Sequence, residues 1–178
     1  MKFTSIGATL AAVVAAISLG TGAALAQQVS LGTHKSGAQN AMASAIASVV
    51  SEYSDLNMRT QAFGGAQKYI PMVNAGRIDF GITTITELRF GVEGRSLSEG
   101  YPSPNLRVVA SLAPFRVGYL VAADSGIATM QDMKGKSMAG GFDPQPLARL
   151  FHEAYLANAG MTYEDVRMVP SSGWREHW

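Results

Sequence analysis

The stretch Val29-Ser30-Leu31-Gly32-Thr33-His34-Lys35-Ser36-Gly37 decides how the chain folds. Its first half is apolar enough for a buried strand, and its second half is a polar turn closed by glycine. Downstream, Ala41, Met42, Ala45, Ile46, Val49 and Val50 recur at helical spacing, which predicts a helix with one apolar face through about Glu52. The pattern then repeats. A strand over Leu56–Phe63 runs into Gly64-Gly65, a helix over Ala66–Asn74 follows, and Asn74-Ala75-Gly76-Arg77-Ile78-Asp79-Phe80-Gly81-Ile82 closes the unit. Strand, small polar turn and helix in alternation argue for an α/β fold. In an open parallel sheet those turns lie at the carboxyl ends of the strands, where ligands bind.

Local chemistry sharpens each piece. Ser36 followed by Gln39 matches the capping-box pattern, so the first helix is expected to start just past the turn. Its free N–H groups and positive dipole end would suit a carboxylate. Asn57, Arg59 and Gln61 alternate with apolar residues, the pattern of a half-exposed strand. Gly64 and Gly65 permit close backbone approach or positive φ. Pro71 predicts a kink or late start in the second helix, and Gly76 suits its carboxyl-terminal cap. Residues 78–83 read as a buried strand, and Thr83-Thr84 as a third turn before a helix through about Gly91.

The loop over 91–105 is rich in Gly, Ser and Pro. Strands are expected at 106–113 and 116–122, interrupted by Pro114. A turn at Asp124-Ser125-Gly126, a helical turn at Met130–Met133 and a short strand at 136–139 follow. Gly140-Gly141-Phe142-Asp143 makes a fourth glycine turn. A helix over 144–159 would bury Leu147, Leu150, Phe151, Ala154 and Tyr155, and a final strand covers 166–169.

Met1-Lys2, the apolar run over 6–19 and Ala24-Leu25-Ala26 have the three parts of a secretory signal peptide, predicting cleavage after Ala26 and export to the periplasm. Loss of Lys2 leaves 13 basic and 13 acidic residues, with no basic block to serve nucleic acid. The absence of cysteine excludes disulfides, thiolate metal sites and a cysteine nucleophile. The three histidines lack metal-ligand spacing, no serine sits in a nucleophile elbow, and no cofactor is expected. Asp79 reads as a strand cap rather than a catalytic acid.

The order of these pieces resembles the TAXI family of TRAP-transporter solute receptors, which are type II periplasmic binding proteins. The resemblance runs from Val29 to about Pro170. Its most specific parts are Leu31-Gly32-Thr33 with Ser36-Gly37, and Gly65 with the segment from Val73 to Ile82. Val121-Ala122-Ala123-Asp124-Ser125-Gly126-Ile127, Met133-Lys134-Gly135-Lys136 and Gly140-Gly141-Phe142 complete it. Positions 34 and 35 depart from the small polar residues usual there. The resemblance implies one complete α/β domain over 27–113 and the beginning of a second over 114–170, after a signal peptide over 1–26 and before a tail over 171–178. A family member is about twice this length, with two domains of ordinary size. A truncated product or a frameshifted tail is the expectation; a natural minimal receptor is the other reading.

The expected ligand site draws on several turns. Thr33 and Ser36 hydroxyls and the Gly37 N–H would hold a carboxylate, unless Ser36 only caps the helix. Gly64 and Gly65 offer backbone contact or only permit the turn. Thr83 and Thr84 end a strand facing the same crevice. Arg116 could pair bidentately with a carboxylate, or form a surface ion pair. Phe142 and Gln145 would close the cleft, with Phe142 alternatively in the core.

The resemblance implies an extracytoplasmic receptor that binds a small carboxylate or amino acid and delivers it to membrane transporter subunits of TRAP type. A receptor for an ATP-driven importer and a truncated, non-functional fragment are the alternatives. An exported enzyme lacks a convincing acid, base or nucleophile constellation, and none is expected.

Overall fold

A computed structural model describes residues 27–140 and 146–170. The expected signal peptide, Gly141, Phe142, Gln145 and the tail over 171–178 lie outside the described residues. The chain begins with β1 (Gln27–His34), α1 (Ala38–Tyr53), β2 (Leu56–Phe63), α2 (Ala66–Asn74), β3 (Phe80–Gly81) and α3 (Ile85–Glu93). Later come β4 (Ser137–Gly140), α4 (Pro146–Asn158) and β5 (Arg167–Pro170), with short 3-10 turns at Ser96–Ser98, Met130–Met133 and Tyr163–Asp165. The fold is α/β, with every strand pairing parallel.

The first sheet has the order β2-β1-β3, so β1 is central and the chain crosses over it between β2 and β3. β1 and β2 pair over their whole length, from Gln27 opposite Leu56 to His34 opposite Phe63. Alternation along β1 splits the core between the two faces of the sheet. Leu31 packs with Ala43 of α1 and with Ile82. Gly32, pointing the other way, meets Tyr69 of α2. On that second face Tyr69, Ile70, Ala66 and Ile78 form a buried cluster. α1 and α2 therefore cover opposite faces, and α3 packs beside α2. The connections leaving neighbouring strands β1 and β3 diverge, and a crevice at their carboxyl ends is the consequence.

Two glycines make that packing possible. A Cβ on Gly32 would lie 3.0 Å from the Tyr69 ring, and one on Gly81 3.1 Å from it. The ring is fully buried, and its hydroxyl donates a hydrogen bond to the Ile82 carbonyl just beyond β3. At the start of β3, Asp79 Oδ2 accepts from the Ser30 backbone N–H at 2.8 Å and from its hydroxyl at 2.7 Å. Asp79 thus ties β3 to β1, as a strand cap should.

A smaller parallel pair, β4-β5, carries α4. Met133, Met138, Leu156, Met161 and Val166 form its buried core.

The structure departs from the sequence reading at several places. Residues 106–113 and 116–122 form no strand. A strand needs a partner for its N–H and C=O groups, and β-branched composition alone supplies none. Val108, Val109, Leu120 and Phe115 on this segment are exposed. The predicted strand over 78–83 contracts to Phe80–Gly81, although Ile78 and Ile82 are buried as expected.

Helix boundaries and faces also shift. α1 starts at Ala38, with Gly37 at its cap position (φ 82°) and no side-chain cap bond, so the Ser36–Gln39 box does not form. That positive φ is costly for any residue with a Cβ, which places the glycine rather than the serine at the helix boundary. Its buried positions are Ala43 and Ala47, while Val49 is exposed. α2 runs uninterrupted through Pro71 from its expected start. In α4 the buried face is Leu147, Ala148, His152 and Leu156, one position round from the predicted stripe. Neither Gly64 nor Gly65 takes a left-handed φ; Gly65 is extended.

Candidate functional site

The crevice at the ends of β1 and β3 is built by α3. Thr84 is its N-cap: the hydroxyl accepts from the Glu87 N–H at 3.2 Å, and the Thr84 N–H donates back to Glu87 Oε2 at 3.4 Å. Thr84-Ile85-Thr86-Glu87 is a capping box whose sequence pattern was open to reading, yet Thr83-Thr84 stood out as a turn and as ligand candidates, not as a helix cap. Thr83 and Thr84 hydroxyls also donate to the same Oε2, at 3.2 and 3.0 Å. Glu87 is 4% exposed, a buried carboxylate at the mouth of the crevice that sequence reasoning missed.

His34, the last residue of β1, faces it. Nε2 of His34 lies 3.9 Å from Glu87 Oε1, and the imidazole packs edge-on to the Tyr69 ring. Burial pushes the His34 pKa below the ordinary histidine value; the nearby Glu87 charge pulls the other way but less strongly. The imidazole is therefore neutral at neutral pH. Its backbone is anchored, because the Asn40 side-chain amide donates to the His34 carbonyl at 2.9 Å.

A cavity of about 750 Å³ opens beside this cluster. Thr84, Ile85 and Thr86 at the start of α3 form one wall; Phe115, Arg116, Val117 and the α4 residues Phe151 and Tyr155 form the other. The second wall is braced by the Tyr155 hydroxyl, which donates to the Val117 carbonyl at 2.5 Å, and by the Phe115–Phe151 ring contact. Arg116 is exposed and enters none of the ion pairs formed among the described residues. A smaller groove of about 420 Å³ lies along α1 and β2, between Ser44 and Thr60, away from the strand ends.

The residues singled out from sequence divide accordingly. Thr84 and Arg116 share the cavity, whereas Thr83 lies outside its lining and donates to Glu87. Thr33 is fully buried, with its hydroxyl unpartnered among the described residues, and points to the opposite sheet face from His34. Ser36 and Gly37 are exposed on the first turn and line neither cavity. Gly65 is buried beneath the folded-back Gln67 side chain, and Gly64 lies beside Lys68. Phe142 and Gln145 lie outside the described residues.

The arrangement can bind: a hydroxyl, a guanidinium and aromatic edges surround a space of a size ordinary for small-molecule sites. Among the described residues no group of His, Asp or Glu side chains is placed to hold a metal ion. No helix among them is long and apolar enough to cross a membrane. Comparison with curated proteins finds no match. The sequence pattern of the NMT1-like family, however, matches residues 28–177. The chain belongs to the NMT1-like family, a family of periplasmic solute-binding proteins.

Proposed function

We propose that the chain is an extracytoplasmic receptor that binds a small organic anion or amino acid between Thr84 and Arg116 and hands it to a TRAP-type secondary transporter. The observation that carries this reading is the cavity itself, in which those two residues stand on opposite walls. Family membership supports a small-molecule ligand and a transporter partner. A guanidinium with no ion-pair partner among the described residues suits a solute carboxylate, which it can grip with two parallel hydrogen bonds. Closing the two walls on the solute would sequester it, as hinge closure does in periplasmic receptors. Binding is followed by release rather than turnover. Export would follow from cleavage of the signal peptide after Ala26.

Uptake of labelled solute into vesicles carrying the partner transporter tests the whole reading. The expected result is uptake that requires the added receptor and an ion gradient but no ATP. ATP-dependent uptake would instead assign the chain to an ATP-driven importer. Consumption of the solute by the purified chain would make it an enzyme.

A further inference from the structure

The cavity between the start of α3 and the 115–117 segment is chemically lopsided. Among the described residues that line it, Arg116 alone carries a charge, and no carboxylate joins it. Glu87, three residues beyond Thr84, is buried, stands outside the lining, and accepts from Thr83 and Thr84 through Oε2. Two of the lining hydroxyls are also engaged within the fold. Tyr155 donates its hydroxyl to the Val117 carbonyl, and Thr84 donates its own to Glu87. What remains of Tyr155 for a solute is its ring.

The rest of the lining is largely apolar. Phe115 and Phe151 stand with ring centroids 6.0 Å apart at 34°, a tilted pair. Phe115 is 55% exposed, and Ile85 on the other wall is 72% exposed, so both present apolar surface to water within the cavity. Covering such surface favours binding, and a flat ring does so while meeting the tilted pair at ordinary aromatic distances. Two other solute classes fit less well. A zwitterion brings an ammonium group that no acid in the lining meets, and a dicarboxylate brings a second charge without a second cation. Each then loses hydration with no counter-charge to offset the loss.

We propose that Phe115, Phe151 and Ile85 form an apolar subsite beside Arg116 that selects an aromatic monocarboxylate, rather than an amino acid or a dicarboxylate. This rests on the receptor reading above and narrows its solute class. Arg116 takes the single carboxylate, and the three apolar side chains take the ring. A cavity of about 750 Å³ has room for one ring and a short acid side chain. Thr86 and Asn158, the neutral polar residues of the lining, suit a ring hydroxyl better than a second charge.

Calorimetric titration of the full chain with 3-phenylpropionate, phenylalanine and succinate tests the proposal, because the second adds an amine and the third exchanges the ring for a carboxylate. The expected result is 3-phenylpropionate binding about tenfold or more tighter than either of the others. Phe115→Ala should weaken that binding about tenfold with an unchanged melting temperature, since the side chain is more than half exposed. Ile85→Ser should do the same from the opposite wall, which keeps the test open if the first variant does not fold. Phenylalanine or succinate binding as tightly as 3-phenylpropionate, or an affinity unmoved by both variants, overturns the aromatic subsite and leaves the receptor reading standing. Failure of all three to bind also overturns the subsite, and the receptor reading falls with it only if receptor-dependent uptake is absent too.

Discussion

Thr84 and Glu87 cap the same helix end from both directions: the threonine hydroxyl holds the glutamate N–H at 3.2 Å while the glutamate carboxylate receives the threonine hydroxyl at 3.0 Å. Because Thr84 also lines the cavity, one hydrogen-bonded pair fixes the start of α3 and the wall of the binding site. Stability and binding should therefore change together here.

Thr84→Ala removes the hydroxyl that caps the Glu87 N–H and that donates to the buried Glu87 carboxylate. A loss of about 1–2 kcal/mol is expected, together with weaker solute binding. Thr84→Ser retains the hydroxyl and should recover most of both. Denaturant titration beside ligand titration checks the pair; full stability in the alanine variant would contradict the assignment.

Gly32→Ala places a methyl group 3.0 Å from the Tyr69 ring, against a side chain that is fully buried. The ring cannot retreat without straining its bond to the Ile82 carbonyl. Overpacking of this kind costs about 1–3 kcal/mol, which a lowered denaturation midpoint would show. A Tyr69→Phe exchange keeps the packing and abandons the carbonyl, so it should cost about 1–2 kcal/mol.

Acid should destabilise the fold before the carboxylates titrate. Burial depresses His34 and also His152 below the ordinary histidine value of 6.5. Below that value the unfolded chain takes up protons that the folded chain refuses, so stability falls as pH drops toward the folded-state pKa values. The melting temperature should decline on going from about pH 7.5 to about pH 5.5, and His34→Gln should flatten the decline. A melting temperature that rises on acidification over this range would show that the histidines gain, rather than lose, protons on folding.

The legible part of the fold lies where the chain supplies its own neighbours. β2 and α2 keep their expected limits because alternation and helical spacing are complete within each segment, and β1 contains the expected run from Val29 to Thr33 but extends to Gln27 and His34. The run over 106–122 was not legible in the same way: its valines and leucines have strand composition, but strand formation also needs a hydrogen-bonding neighbour, which sequence periodicity does not supply. The site was half legible. Arg116 and Thr84 stood out by type and position, and the cavity brings them together. Glu87 was hidden because a glutamate three residues into a helix resembles a surface charge until burial is known. Ser36 misled for the converse reason, since its capping pattern was complete while Gly37 took the cap position.

The central claim is that a solute carboxylate is held by Arg116 across the cavity from Thr84. Its most direct test is the dissociation constant of the tightest-binding solute, measured by calorimetry for the wild-type chain and for Arg116→Ala. Arg116 is exposed, so its removal should leave the fold intact. Affinity weakened by about tenfold or more is expected, as for loss of a charge-assisted pair, with an unchanged melting temperature in the absence of solute. Equal affinity in the two proteins would contradict it and place the carboxylate elsewhere.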